Sequence, residues 1–370
     1  MSRLFPFAAV VMALCALSAC QLDASSLTPA QLNNVAQRTV KTSAIPGIAI
    51  AVISSDKVVI ASAGVRHVGE AAALQTSDRM HLGSNIKAMT ATLTASLVES
   101  GALRWNSTIV EILPELRASM RPEYLNVTIE DLLAHRGGLL PFVEPASFAQ
   151  LPPLPADAVA ARAALTAWLV QQPSPVTPRV DSLYSNAGYA VVAAMLERRT
   201  GQRFEDLLTV MVLQPLGIVP KFDWPATGER NQPWGHEWLN GRWVPNDPDA
   251  AQNQIPGFIT PAGNLSISIG DYARFVQSQL QGLRGRAQII TSVEYQHLRT
   301  PLGRYALGWF VGDIKGVRTS ARDGSAGTFY ALATIQSQRD RAVIVLINAY
   351  SESTAATANA LALTLLDQGK

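Results

Sequence analysis

The chain has 370 residues, 48% of them hydrophobic, with 30 Lys+Arg against 28 Asp+Glu and a mean hydropathy of +0.13. This is an ordinary globular composition, long enough to fill a large core or two lobes. A formal net charge of +2 gives neither the basic field that nucleic-acid binding needs nor a polyacidic tail, so nucleic acid is set aside as a partner.

Residues 1–19 contain Arg3, continue as an apolar run to Ala16 and lead into Leu17-Ser18-Ala19-Cys20. They read as a secretory signal whose ending resembles a bacterial lipobox. On that reading Cys20 is the lipidated first residue and 20–27 is a tether. Several acyl chains, at about 0.8 kcal/mol per buried CH₂, would anchor the protein firmly. Gln21 in place of Asp suggests the outer membrane, with the chain facing the periplasm. Ordinary cleavage near Ala19 is the alternative, because small residues there serve either peptidase. Cys15 would leave with the signal and Cys20 would be acylated, so no disulfide is expected. No later run approaches the eighteen apolar residues of a membrane span.

Thr28-Pro29-Ala30-Gln31 combines an N-cap, a proline at the first helical position and a capping-box glutamine, predicting a helix that ends before Pro46-Gly47. Strands are expected at 47–53 and 57–64. A helix then follows Ser84 and stops at Gly101.

Ser84 and Lys87 stand one helical turn apart, with Cβ atoms about 5–6 Å from each other, so the amine can reach the hydroxyl. A serine hydroxyl needs such a base, and a lysine serves only where burial or neighbouring charge lowers its pKa. From Ala88 to Val98 the helix carries no charged residue, which marks it as buried. Its N-terminus would direct unpaired N–H groups at an oxyanion. Ser-x-x-Lys is expected by chance roughly once in a chain like this. Ser54-Ser55-Asp56-Lys57 has the same spacing, but it lies between two strand-like runs and reads as a hairpin turn.

From 84 to about 295 the pattern is mostly helical, with starts at Thr128, Asp157, Asn186 and Gly270-Asp271. A proline-rich loop (Pro141 to Pro155) and residues 219–258, with Trp224, Trp234, Trp238 and Trp243, break that reading. They are either binding-site walls or a sealed loop surface. Tyr184-Ser185-Asn186 opens a helix and could present a proton relay and an amide to the site. Tyr124-Leu125-Asn126 has the same spacing, and spacing alone does not choose between them.

Strand-like runs at 305–311, 316–322, 328–337 and 341–348 precede a helix from about 353 to 367. The ends of the chain together form one antiparallel sheet covered by both terminal helices, an α+β arrangement with a helical region inserted. Arg322-Asp323-Gly324-Ser325 ends one run and starts a turn. It is either a site edge, where glycine lets a ligand approach, or a plain hairpin turn. Asp323 to Gly327 nearly spells a nucleophile elbow, but no histidine follows Ser325, so that triad order is impossible. The five histidines show no metal-ligand spacing, and no metal or cofactor is expected.

These residues converge on a resemblance. The chain from about 30 to 365 resembles the serine β-lactamase and penicillin-binding-protein superfamily, closest to class C β-lactamases, D-alanyl-D-alanine carboxypeptidases and related esterases. Its carriers are Gly83-Ser84-Asn85-Ile86-Lys87, Leu132-Leu133-Ala134-His135-Arg136-Gly137-Gly138-Leu139, Tyr184-Ser185-Asn186-Ala187-Gly188-Tyr189, Pro215-Leu216-Gly217, Pro261-Ala262-Gly263 and Leu307-Gly308-Trp309. The resemblance favours Ser84 and Tyr184 over the decoys. It implies Ser84 as the acylated nucleophile, Lys87 and Tyr184 as base and proton relay, and Asn186 as orienter. It also implies an oxyanion hole from the Ser84 and Ser325 N–H groups, and a structural His135. The family's third motif usually reads Lys-Thr-Gly or His-x-Gly, and here it reads Arg322-Asp323-Gly324. The cation survives and the hydroxyl that helps bind a substrate carboxylate does not, which shifts the expectation from β-lactams toward esters or amides.

The expectation is a β-lactamase/transpeptidase-like catalytic domain whose sheet lobe comprises 28–80 and 296–370 and whose helical lobe comprises 81–295. It would be a monomeric, lipid-anchored serine hydrolase acting on a small molecule or peptide. Arg322, Asp323, Gly324, Ser325 and Asn186 would bind the substrate. A β-lactamase or D-Ala-D-Ala carboxypeptidase is one alternative, and a catalytically silent peptidoglycan- or ligand-sensing protein is another.

Overall fold

A computed structural model describes residues 27–143, 145–250 and 253–367. The expected signal, Cys20 and all of the tether except Leu27 lie outside the described residues. In chain order the first half comprises α1 (Pro29–Ser43), β1 (Gly47–Ile53), β2 (Val58–Gly64), β3 (Arg79–His81), α2 (Ile86–Glu99), α3 (Ile109–Ile112), α4 (Ile129–Leu133), α5 (Ala158–Leu169) and α6 (Asn186–Thr200). There follow α7 (Phe204–Leu208), β4 (Gly235–Leu239), β5 (Arg242–Asn246), α8 (Thr260–Gly263), β6 (Ser266–Ser268), α9 (Ile269–Leu283) and α10 (Ser292–His297). The chain closes with β7 (Phe310–Ile314), β8 (Val317–Ser325), β9 (Tyr330–Gln336), β10 (Arg341–Ile347) and α11 (Glu352–Asp367).

Six strands form one sheet in the order β2-β1-β10-β9-β8-β7, antiparallel throughout. The amino-terminal hairpin thus joins the carboxy-terminal meander through the β1–β10 pair. Strand side chains alternate between faces, and β1 is buried on both, which is why Gly47–Ile53 reads as an unbroken apolar run. Ile48, Ile50 and Val52 pack under α1 and α11 with Leu32, Ala36, Ala362 and Leu365. Ala49, Ala51, Ala331 and Ala333 face the larger core, and their small size lets α9 lie close on that side of the sheet. Thr28 and Gln31 close the expected capping box on α1, a contact worth about 1 kcal/mol.

Helix α2 runs through the middle of the helical region, buried on all sides from Ile86 to Ala95. Its threonines are satisfied without solvent. Thr92 and Thr94 donate to the carbonyls of Ala88 and Thr90, and Thr90 reaches Pro261 O at 2.8 Å.

Three local expectations need correction. The 305–311 run begins its strand only at Phe310, because Gly308 takes a φ of +79° and sits against the α2 backbone at Lys87 O. Strand β8 extends to Ser325, so Arg322-Asp323-Gly324 belongs to the strand and the turn starts after it. The 219–258 stretch contains the β4–β5 hairpin, whose Asn240-Gly241 corner has both φ values positive, as a tight hairpin turn requires. The short β3–β6 pair joins Arg79–His81 to Ser266–Ser268, three residues each, too short for a strand signal in the sequence.

Candidate active site

Ser84 sits in a single tight turn, Gly83–Asn85, that leads into α2. Two glycines permit its position. A Cβ on Gly83, whose φ is +49°, would lie 2.5 Å from Ser325 N, and one on Gly324 would lie 2.4 Å from Ser84 N. Any side chain at either place would push the turn off the strand. Strand β7 pairs with β8 only as far as Ala321, so the edge of Arg322–Ser325 is left to the Ser84 turn. The result brings the Ser84 and Ser325 amides close together.

Asn85 and His81 pin this turn from behind. Asn85 Nδ2 donates to Leu82 O and Ala331 O, and its Oδ1 accepts from Tyr272 at 2.6 Å. The Gly83 N–H donates to His81 Nδ1 at 3.2 Å, leaving Nε2 to donate to Asn264 Oδ1. Burial lowers the His81 pKa to about 4, so the ring is neutral and keeps Nδ1 as an acceptor.

Lys87 is fully buried, and its Nζ lies 2.9 Å from Ser84 Oγ, 2.7 Å from Asn186 Oδ1 and 2.5 Å from Ala262 O. Burial pushes its pKa well below the ordinary lysine value, the Arg322 guanidinium pushes the same way, and Asp323 opposes them. A neutral amine has two N–H groups and one lone pair. Those two donors match the Asn186 and Ala262 carbonyls, which leaves the lone pair for the Ser84 proton.

Tyr184 approaches Ser84 Oγ from another side, with its hydroxyl at 2.8 Å. Ser185 caps α6 by accepting from Gly188 N, which places Tyr184 just before the helix and Asn186 at its first turn. Asn186 is fixed by Phe142 O and, through its backbone N–H, by Pro141 O. The proline-rich loop is therefore one wall of the site.

Arg322 is almost wholly buried and points inward, donating through Nε to Ser84 O at 2.9 Å and through a terminal nitrogen to the Tyr184 hydroxyl at 2.6 Å. Burial works against its charge, but Tyr184, Tyr189 and Asp323 outweigh that and raise its pKa. Arg322 and Asp323 do not pair with each other. Consecutive strand residues face opposite ways, and Asp323 is exposed on the side of Leu332 and Tyr330. Ser325 Oγ accepts from Gly327 N, so that side chain serves the turn while its backbone borders Ser84.

The decoys lie in other surroundings. Ser54 and Lys57 close a hairpin turn, Ser54 N donating to Lys57 O and Lys57 N to Ser54 Oγ, and Tyr124 is buried with its hydroxyl on Gly138 O. Trp224 is buried against His81 and Phe329, whereas Trp238 stands half-exposed at the hairpin. Among the described residues no group of His, Cys, Asp or Glu is placed to hold a metal ion.

A family model described as Beta-lactamase matches residues 32–367. The chain belongs to the Beta-lactamase family. This β-lactamase-family hydrolase is 26% identical over 296 residues to penicillin-binding protein 4 of Amycolatopsis lactamdurans, covering 76% of this chain and 75% of that one. It is 25% identical over 308 residues to a β-lactamase of Escherichia coli K12, covering 81% and 73%. An unguisins hydrolase of Aspergillus violaceofuscus is 24% identical over 78% of this chain, which spans 55% of that relative. The fold is shared with the octameric penicillin-binding protein homologue of Pyrococcus abyssi, at a TM-score of 0.74 and 21% identity over 89% of this chain and 75% of the other. It is shared equally with SurE, at 0.76 and 20% over 94% and 77%. The expected superfamily and α+β architecture are those the protein has.

Proposed function

We propose that this family member hydrolyses an ester or amide through an acyl-enzyme on Ser84. The observation that carries the reading is the convergence on Ser84 Oγ of a buried, pKa-depressed Lys87 amine at 2.9 Å and the Tyr184 hydroxyl at 2.8 Å. Lys87 and Tyr184 take the Ser84 proton as Oγ bonds to the substrate carbonyl carbon. The oxyanion so formed is held by the Ser84 and Ser325 N–H groups, donors worth about 10²–10³ in kcat in comparable sites. The carbonyl re-forms as the bond to the leaving group breaks, and Tyr184 returns the proton to that group. Arg322, donating to the Tyr184 oxygen, stabilises charge there while the proton is away. Water then adds to the acyl carbon, giving its proton to the same base, and as the Oγ–C bond breaks that proton returns to Ser84 Oγ and the acid is freed.

The substrate class follows from charge. The buried Arg322 guanidinium is engaged by Tyr184 and Ser84, and the exposed group on the next strand position is the carboxylate of Asp323. An anionic substrate gains little from the first and is repelled by the second, which favours neutral esters and amides. A second reading, hydrolysis of β-lactams or peptidoglycan peptides, is supported by the penicillin-binding-protein and β-lactamase relatives. A silent sensor is disfavoured by the full set of side chains around Ser84.

The test is mass spectrometry of the purified domain after exposure to a penicillin, a short-chain p-nitrophenyl ester and a D-Ala-D-Ala peptide. An acyl adduct on Ser84 with turnover of the ester supports the proposal. Absence of any adduct or product with all three would overturn it. For the cell address we propose a lipid anchor on Cys20 facing the periplasm, supported by the residues around it in the sequence.

A further inference from the structure

Tyr184 owes its place to a residue outside the constellation described so far. The residues on either side of it are both bonded to His135: Leu183 N donates to His135 O at 2.8 Å, and Ser185 N donates to His135 Nδ1 at 3.1 Å. Between those two bonds the imidazole lies on the Tyr184 ring, with centroids 4.2 Å apart and planes at 35°. Tyr305 closes the far side edge-on at 5.0 Å, and Tyr189 lies at 5.3 Å. One residue therefore fixes the backbone before Tyr184, the backbone after it and the ring itself.

His135 holds this position at two visible costs. Its φ is +58°, a conformation that side chains other than glycine rarely adopt. Its Nε2 is buried without a partner among the described residues, which an apolar side chain of similar size would avoid. If the site needed only filling, an apolar side chain would avoid the second of these costs. What an apolar residue cannot supply is an acceptor for Ser185 N–H at the foot of the Tyr184 side chain.

We propose that His135 is a positioning residue for Tyr184, using its Nδ1 acceptor and its ring face to set the tyrosine hydroxyl against Ser84 Oγ. The proposal rests on the reading of Ser84 as nucleophile and Tyr184 as its relay. It places His135 in no contact with substrate. Asparagine is the informative replacement, because its Oδ1 occupies the place of imidazole Nδ1 and it tolerates positive φ better than most residues.

The test follows fluorophosphonate labelling of Ser84 by mass spectrometry, resolved into kinact and KI, in the full chain and in a Tyr184→Phe background. His135→Leu should lower kinact by about 30-fold with KI within about threefold, and His135→Asn should restore kinact to within about fivefold of wild type. In the Tyr184→Phe background, His135→Leu should cost less than about threefold, since a residue acting through Tyr184 has nothing left to position. Should the leucine variant fail to fold, His135→Phe takes its place in the same cycle, keeping a ring and removing the acceptor. Equal losses in both backgrounds, or an asparagine variant as slow as the leucine one, would overturn the role of His135. Labelling that persists in Ser84→Ala would instead remove the reading on which the role depends.

Discussion

Lys87 Nζ and Ser84 Oγ lie 2.9 Å apart inside a site where the same nitrogen also meets two carbonyl oxygens, on Asn186 and Ala262. A protonated amine would offer a proton to all three oxygens. A neutral one donates to the two carbonyls and has its lone pair left for the serine, which is the state that burial favours.

That geometry belongs to Ser84 alone of the two Ser-x-x-Lys sequences. Ser84→Ala should abolish both turnover and fluorophosphonate labelling, while Ser54→Ala, at a hairpin turn, should leave both within about twofold. Intact-mass analysis after labelling decides it. An adduct on the Ser84→Ala protein would place the nucleophile elsewhere.

Removing the base or the relay should separate catalysis from stability. Lys87→Met and Tyr184→Phe should each lower kcat by at least about 10²-fold, the ordinary scale of proton-transfer catalysis. The folded-state pKa of Lys87 is depressed, so its burial opposes folding at neutral pH, and the methionine variant should melt within about 3 °C of wild type. A large loss of Tm with normal kcat would make these packing residues instead.

Acid should loosen the turn that carries Ser84. Burial lowers His81 and His236 from 6.5 to about 4, so between those values the unfolded chain binds more protons than the folded one. The stability is therefore fully present above about pH 6.5 and is lost as the pH falls toward 4, by up to about 3 kcal/mol per histidine. Protonating His81 in the folded protein also takes away the acceptor of the Gly83 N–H, so activity should fall as the pH approaches 4, at the low end of that window. Urea melts and rates at pH 7, 5.5 and 4.5 measure both, and a flat stability profile would contradict the account.

What the sequence could and could not reveal follows from the range of each interaction. Ser84, Lys87 and their buried helix were legible because one turn of spacing and an uncharged stretch are local facts. The sheet was legible from its apolar runs, with β1 the plainest. Ala262 O was not, because a backbone carbonyl has no residue signature even where Pro261-Ala262-Gly263 carries a family resemblance. Nor was the inward turn of Arg322, since adjacent charges look like a pair until the strand assigns them to opposite faces. The Asn240-Gly241 corner carried a clear hairpin signal that the tryptophans around it obscured.

The anchor proposed for residue 20 has its own test. Cys20→Ala should move the protein from the membrane fraction to the periplasmic or culture fraction, because it removes every acyl chain at once. Retention in the membrane pellet would require a different tether.

Asp323 is where this chain departs from the usual third motif, and the structure changes why that should matter. Arg322 is not neutralised by Asp323. It is buried and bonded to Tyr184 and Ser84, while Asp323 stands exposed on the strand edge that borders Ser84. A substrate carboxylate would thus meet a negative rim with the cation behind it. Asp323→Thr should raise kcat/KM for a carboxylate-bearing penicillin or D-Ala-D-Ala peptide by on the order of tenfold, equivalent to about 1.4 kcal/mol, and leave a neutral ester within a few-fold. The same change removes a group that raises the Lys87 pKa, so the acid limb of the rate profile should move to lower pH for both kinds of substrate. The two effects are separable: the first depends on substrate charge and weakens with added salt, whereas the second does not depend on the substrate. If penicillin and ester respond equally at every pH, Asp323 does not select by charge, and the preference for neutral substrates loses its physical basis.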